Sequence, residues 1–227
     1  MRRTASLLLV FATAIFVWSM TLAAEQAGRA IKLFDGKTLA GWGCFTVDPM
    51  VKMEDVWSVK EGILICKGEP LGYLYTKEDY TNFKLTVEWR WAPGKEPGNS
   101  GVLLRITGDA VSFVPKCAEC QLKSGSAGDI VGFYGFQVKG PGDQFKVIEH
   151  PKLGRILVVR KIKAAEKDPG KWNRAEITVD HGTITVVING EEVNKATDCD
   201  VVAGRIGLQS EGGEIHFSTV ELIPIEK

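Results

Sequence analysis

Two stretches of this chain put carboxylates where they could handle protons. Glu88 and Arg90 alternate with apolar residues in FKLTVEWRW, and Glu119 and Gln121 do the same in CAECQL. A carboxyl beside planar donors and acceptors can take up or release a proton, and a guanidinium or amide can hold an oxygen on which charge develops. Between them runs NSGVLLR, Asn99 to Arg105, where a turn-forming Asn-Ser-Gly leads into an apolar run that ends on a charge. Arg205 and Gln209 follow later in GRIGLQSEGG. The histidines are weaker candidates. His150 reads as loop, His181 as turn and His216 as strand, and no Ser or Cys nucleophile motif accompanies them, which argues against a hydrolase triad.

These residues sit in a chain whose apolar pattern has a period of two. In FKLTVEWRW, residues Phe83, Leu85, Val87, Trp89 and Trp91 share one face, and Lys84, Thr86, Glu88 and Arg90 the other. GVLLRI sets Val102, Leu104 and Ile106 opposite Leu103 and Arg105. WSVKEGILICKG reads as two short strands around Glu61-Gly62. AEITVDHGTITVVINGEEV reads as a hairpin through Asp180-His181-Gly182, then a turn at Asn189-Gly190. GRIGLQSEGGEIHFSTVELIPI reads as a further strand pair joined through Glu211-Gly212-Gly213. Many short strands with regular turn signals predict an all-β sandwich or jelly roll. The stretch from Lys123 to Lys171, rich in Gly, Pro and charge, is expected to form long surface loops.

In a two-sheet sandwich, one face of each sheet forms the core and the other meets solvent or lines a concave site. The outward residues are then Glu88, Arg90, Arg105, Glu119, Gln121, Arg205 and Gln209. A plain solvated face with cross-strand charge pairs would carry the same pattern. The mix of carboxylates, guanidinium groups and amides with Tyr73, Tyr75, Phe133, Tyr134 and Trp172 also suits a sugar. Planar groups match pairs of hydroxyls, and rings cover the apolar faces of a pyranose. A Trp in the setting of Trp172 is more often core than platform.

Composition narrows the classes. The 227 residues carry 28 basic and 28 acidic side chains, so no basic footprint for nucleic acid exists. The N-terminus has Arg2 and Arg3, an apolar run, and small residues near Ala23 and Ala24. A membrane anchor has a similar look, but the short run closing on small residues predicts a signal peptide over 1–24 and a single domain over 25–227. The protein is therefore expected to be exported, periplasmic or secreted, without stable membrane insertion after cleavage. Five cysteines allow disulfides with one thiol over. On a strand, Cys117 and Cys120 point to opposite faces, and no second pair or close His completes a zinc set.

The segments LFDGKTLAGW, WSVKEGIL, NFKLTVEWRW, GNSGVLLR, AECQL, GKWNRAEITVDHGTITVVINGEEV and GRIGLQSEGGEIHF occur in this order. Together they resemble the 3-keto-disaccharide hydrolase domain family over about Ile31 to Ile225. The resemblance implies a concanavalin A-like jelly roll of two antiparallel sheets, export, and cleavage of glycosidic bonds in carbohydrates oxidised at C3. Carried over residue by residue, it points to Glu88, Arg90, Asn99, Ser100, Glu119, Gln121, Trp172, Asn173 and Gln209, with Asn99-Ser100-Gly101 at the rim of a site and Glu119-x-Gln121 on its floor. The chain departs from the family pattern in three places. Lys123-Ser124 follows where members often continue into Asp, Gln209-Ser210-Glu211-Gly212 replaces Gln-x-His-Gly, and Phe217-Ser218-Thr219 replaces Phe-Arg-Asn.

A C3 ketone makes the C2 proton acidic and places the C1 substituent β to the carbonyl, so cleavage can run by elimination and water addition. The expected base is Glu119, with Glu88 as acid or as the group orienting Arg90. Arg90, Arg105 and Gln121 are the expected donors to oxygen. A positioned base is worth about 10²–10⁴-fold, and each preorganised donor about 10²–10³. No cofactor is expected. Ca²⁺ is compatible with a jelly roll, although no ligand loop marks a site. Two other classes fit the same pattern: a carbohydrate-binding module without turnover, and a protein-interaction sandwich.

Overall fold

The computed structural model describes residues 28–109 and 112–226; the expected signal peptide over 1–24 lies outside them. Where the sequence alternates, it forms strands. Phe83, Leu85, Val87, Trp89 and Trp91 of strand β6 (Phe83–Trp91) are each at most 1% exposed. The alternation turns the intervening polar residues away from that buried layer. Turn chemistry sets the register. Glu61-Gly62 and Asn189-Gly190 both have positive φ at their two central residues, as tight two-residue hairpins require. The first joins β3 (Trp57–Lys60) to β4 (Ile63–Cys66), and the second joins β13 (Thr183–Ile188) to β14 (Glu191–Ala196).

Two eight-stranded antiparallel sheets result. The back sheet runs β14, β13, β12 (Asn173–Asp180), β6, β16 (Ile215–Pro224), β4, β3, with β1 (Ile31–Lys32) also against β16. The front sheet runs β10 (Phe145–His150), β11 (Gly154–Val159), β9 (Ile130–Gly132), β8 (Lys116–Gln121), β7 (Gly101–Thr107), β15 (Arg205–Ser210), β5 (Gly72–Thr76), β2 (Trp42–Thr46). The core between them includes Trp57, Leu64, Trp89, Trp91 and Phe217 from the back and Val102, Leu104, Ala118, Cys120 and Leu208 from the front. Removing one such Trp would cost about 3–5 kcal/mol. A second apolar cluster covers the far side of the front sheet, where Tyr73, Leu103, Cys117 and Val131 meet Val114 and Phe133 from connecting loops.

Two expectations are corrected. The stretch from Lys123 to Lys171 holds β9, β10 and β11, which extend the front sheet past β8. Gly135, Gly140, Pro141 and Gly142 fall in the connection from β9 to β10, and Pro151 in that from β10 to β11. Strands β15 and β16 do not pair: β15 is in the front sheet and β16 in the back. Glu211-Gly212-Gly213 therefore crosses the edge of the sandwich instead of closing a hairpin. All five cysteines are free thiols, and Cys117 and Cys120 face different clusters, as strand alternation requires.

Candidate functional site

The expected outward residues divide between the two outer faces of the sandwich. Glu88 alternates with Val87 and Trp89 on β6 and so lies outside the back sheet. Glu119 alternates with Ala118 and Cys120 on β8 and so lies outside the front sheet. The whole hydrophobic core separates them, which corrects the expectation that Glu88 serves as acid, or orients Arg90, in one site with the base Glu119.

On the back face, Glu88 is held by neighbours. It accepts hydrogen bonds from Thr219 Oγ1 (2.9 Å), Ser218 Oγ (3.1 Å) and Arg174 Nη1 (3.2 Å). Burial pushes its carboxyl up, but these bonds together outweigh burial and hold it below the ordinary carboxylate range. The Arg90 guanidinium lies 4.6 Å from the Trp172 ring centre, and its Nε donates to His216 Nδ1 at 3.3 Å. Asn173 is buried, and its Oδ1 accepts from Lys167 N and Asn189 Nδ2, both at 2.8 Å. Glu88, Trp172, Arg174 and Ser218 line a pocket of about 660 Å³.

Arg105 belongs to neither face. A register shift in β7 and a φ of 53° turn it out of the alternation. Its fully buried guanidinium donates to Thr81 O (2.8 Å), Asp200 O (2.6 Å) and Asn82 Oδ1 (3.1 Å). It clamps three segments together, and the expectation that it serves as an outward donor is corrected.

The front face gathers the rest. Gly101 pairs with Gln121, and Leu103 with Glu119. Because residue 101 has no side chain, the Glu119 carboxyl leans over it: a Cβ there would overlap Oε1 and lie 2.6 Å from Cδ. Gln121 is oriented by its own backbone surroundings. Its Oε1 accepts from Leu122 N (3.0 Å) and Lys123 N (2.9 Å), which turns Nε2 towards Glu119 Oε2 at 3.4 Å. Ser100 is buried, and its Oγ donates to Gln209 O at 2.8 Å, tying β7 to β15. Asn99 N donates to Gly212 O at 2.8 Å, which fixes the rim against the crossing loop.

Glycines make that contact possible. A Cβ on Gly98 would overlap the Gly212 carbonyl and lie 2.8 Å from Gly213 Cα, and one on Gly68 would lie 2.7 Å from Gly213 N. Three chain segments thus meet backbone to backbone beneath Glu211. Sequence reasoning missed Glu211 as a site residue. The signal was present in Glu211-Gly212-Gly213, but reading that stretch as a hairpin put it at a distant turn.

The electrostatics of this face are unusual. Glu119 is 1% exposed, and among the described residues no cation pairs with it. Burial pushes its carboxyl well above the ordinary range, and the neighbouring Glu211 and Asp129 push it further. Burial also raises Glu211, opposed by Asn99, Lys123 and Gln209. Three buried oxygens, Asn99 Oδ1, Glu119 Oε1 and Gln209 Oε1, have no donor among the described residues. Each buried acceptor left unmatched costs about 1–3 kcal/mol. On the same face Phe45, Tyr73 and Tyr75 form a row with ring centres 5.4 and 5.9 Å apart, and the Arg205 guanidinium lies 4.7 Å over Tyr75. Arg205 also borders a pocket of about 450 Å³ with Lys77, Asp79 and Thr107. Four residues of strand place it about 13 Å from Gln209. Among the described residues, no group of three or more His, Cys, Asp and Glu could hold a metal ion.

This sandwich of two eight-stranded antiparallel sheets has a jelly-roll architecture. The chain belongs to the 3-keto-alpha-glucoside-1,2-lyase-like domain family, whose match spans residues 29–223. It is 25% identical over 190 residues to a 3-keto-disaccharide hydrolase of Bacteroides thetaiotaomicron, covering 74% of this chain and 58% of that protein. This chain thus spans little more than half the length of that relative. Among solved structures, a Parabacteroides distasonis protein assigned as a glycosyl hydrolase is 19% identical, with a TM-score of 0.62 over 89% of this chain and 97% of its own. Bacillus licheniformis β-glucanase is 12% identical, with a TM-score of 0.55 over 88% and 99% of the two chains. Both likenesses are of fold.

Proposed function

We propose that this protein cleaves the glycosidic bond of 3-keto-glycosides, 3-keto-disaccharides among them, on the outer face of its front sheet. One observation carries the reading: Asn99, Glu119 and Gln209 bury oxygen atoms that no group among the described residues satisfies, beside a row of aromatic rings. Substrate hydroxyl and carbonyl groups supply the missing partners, and the rings suit the apolar face of a pyranose.

The chemistry follows from the ketone. A base removes the C2 proton, and the electron pair moves onto the C3 oxygen as an enolate. When the carbonyl re-forms, C1=C2 forms and the C1–O bond breaks, and the leaving oxygen takes a proton. Water then adds across C1=C2, its oxygen to C1 and its proton to C2, so the sum is hydrolysis. The site must supply a base, a donor at the C3 oxygen and a proton for the leaving group. The experiment is incubation of the purified chain with a 3-keto-glucoside and with the parent glucoside. Release of aglycone from the keto compound alone is expected, and equal release from both, or from neither, overturns the reading.

A second reading is a carbohydrate-binding module without turnover. The near-complete burial of Glu119, which leaves little room for a reacting carbon, favours it. In that case sugar binding persists in Glu119→Gln and no aglycone appears. We also infer export through the N-terminal segment Arg2 to Ala24, to the periplasm or beyond. N-terminal sequencing of protein recovered from outside the cytoplasm tests this.

A further inference from the structure

We propose that Glu211 is the base of this site and that Glu119 is the protonated group that keeps its proton and hydrogen-bonds through it to the substrate's C3 oxygen. The assignment rests on the 3-keto-glycoside reading above. It reverses the simplest expectation from sequence, in which Glu119 takes the proton, and it gives a role to a residue from a different sheet connection.

The two carboxyls approach one face from different directions. Glu119 rises from the floor on β8, in the space left by Gly101, and its nearest donor is Gln121 Nε2 at 3.4 Å. Glu211 stands at the rim, partly exposed, on the loop that crosses from β15 to β16. That loop is pinned by the contacts of Gly212 and Gly213 with Gly98 and Gly68, so Glu211 is carried on rigid backbone. A base must reach a carbon-bound proton, and the rim position gives that access. A hydrogen-bond donor to a developing enolate is best preorganised in a dry floor, where its dipole needs no rearrangement.

The surroundings separate the two in the same sense. Glu119 faces Glu211 and Asp129, which disfavour its charge, and the buried thiols of Cys117 and Cys120 offer no positive partner. Glu211 faces Lys123, Asn99 and Gln209, all of which favour its charged form against burial. Two interacting carboxyls in unequal settings titrate apart, and the more exposed one, with the field of Lys123 in its favour, ionises first. The pair then holds one proton, on Glu119, with the anion on Glu211. The anion takes the C2 proton, the C–H pair becomes the enolate, and Glu119 O–H donates a hydrogen bond to the C3 oxygen. The proton on Glu211 is then available to the leaving oxygen, so the pair ends as it began.

The test follows a 3-keto-glucoside in D₂O with the full chain, reading hydrogen–deuterium exchange at C2 by NMR and aglycone release in parallel. Glu211→Ala is expected to lower both by about 10²–10⁴-fold. Formate or acetate is expected to restore part of the loss in a concentration-dependent way, which a merely structural role would not permit. Glu119→Gln is expected to keep C2 exchange and to lose the alkaline limb of the rate profile, because an amide donates at every pH. Thermal melts of Glu211→Ala and the isosteric Glu211→Gln establish that the variants fold. If both Glu211 variants keep turnover within about threefold, or a folded Glu211→Ala is not rescued by carboxylate, the assignment is overturned. If Glu119→Gln abolishes exchange while Glu211→Ala retains it, the roles are the reverse. Wild-type protein that neither exchanges C2 nor releases aglycone overturns the 3-keto reading itself, and the assignment with it.

Discussion

Gly101 and Glu119 share one volume: the carboxyl of Glu119 occupies the space that a side chain at residue 101 would fill. Gly101 is not in the left-handed region, so its requirement is for room and not for backbone freedom. Gly101→Ala is therefore expected to push Glu119 aside. Overpacking of this kind costs about 1–3 kcal/mol. The expected result is a lower Tm together with loss of aglycone release by at least about tenfold in the folded protein, since small misplacements cost about 10²-fold in rate. A Gly101→Ala protein with wild-type Tm and wild-type turnover would remove Glu119 from the site.

Stability should report the burial of Glu119. Its carboxyl is held well above the ordinary range by burial. A raised acid contributes stability that is fully present below the unfolded carboxyl's value and is lost as pH rises through the folded value. Glu119→Gln removes that loss. Denaturant titrations should find Glu119→Gln more stable than wild type at neutral pH, with the gap closing as pH falls below about 4. Each kcal/mol of gain appears as roughly 2–4 °C in Tm for a domain of this size. A gap independent of pH contradicts the buried, uncompensated setting.

Glu88 should behave in the opposite way. Hydrogen bonds from Thr219, Ser218 and Arg174 hold its carboxyl low, so its contribution is present above the ordinary carboxylate range and lost as pH falls. Its side chain is 33% exposed, and solvent screening keeps the effect of Glu88→Gln under about 1 kcal/mol. Because Glu88 lies across the core from Glu119, kcat/KM on a 3-keto-glucoside should stay within about twofold of wild type. A loss of tenfold or more would move the reaction to the back face.

Arg105 predicts a third behaviour. Three acceptors surround its buried guanidinium, and Arg105→Met leaves them without a donor. Hydrogen bonds to charged groups are worth about 1.5–3 kcal/mol each, so a loss of about 3 kcal/mol or more is expected in chemical denaturation. Turnover per folded molecule should be nearly unchanged. A stable, inactive Arg105→Met would instead mark it as a donor to substrate.

Much of the architecture was legible in the chain itself. The alternation of Phe83 to Trp91, the turn pairs Glu61-Gly62 and Asn189-Gly190, and the opposite facing of Cys117 and Cys120 are local properties, and local sterics decide them. So is the polar pair Glu119 and Gln121 on one side of its strand. Three matters depended on how the strands assemble. A period of two says that Glu88 and Glu119 each turn away from a core, but not that each lies on a different side of the same core; only the partition of β6 and β8 between two sheets decides that. Arg105 left the alternation because a register shift in β7 rotated it inward, where Thr81, Asn82 and Asp200 accept its hydrogens. Glu211 reached the site because β15 and β16 pair with other strands, which sends their connecting loop across the sandwich edge to the rim beside Asn99. Strand pairing is a contact between residues far apart in sequence, so the register and sheet membership that build this site exist only in the folded molecule.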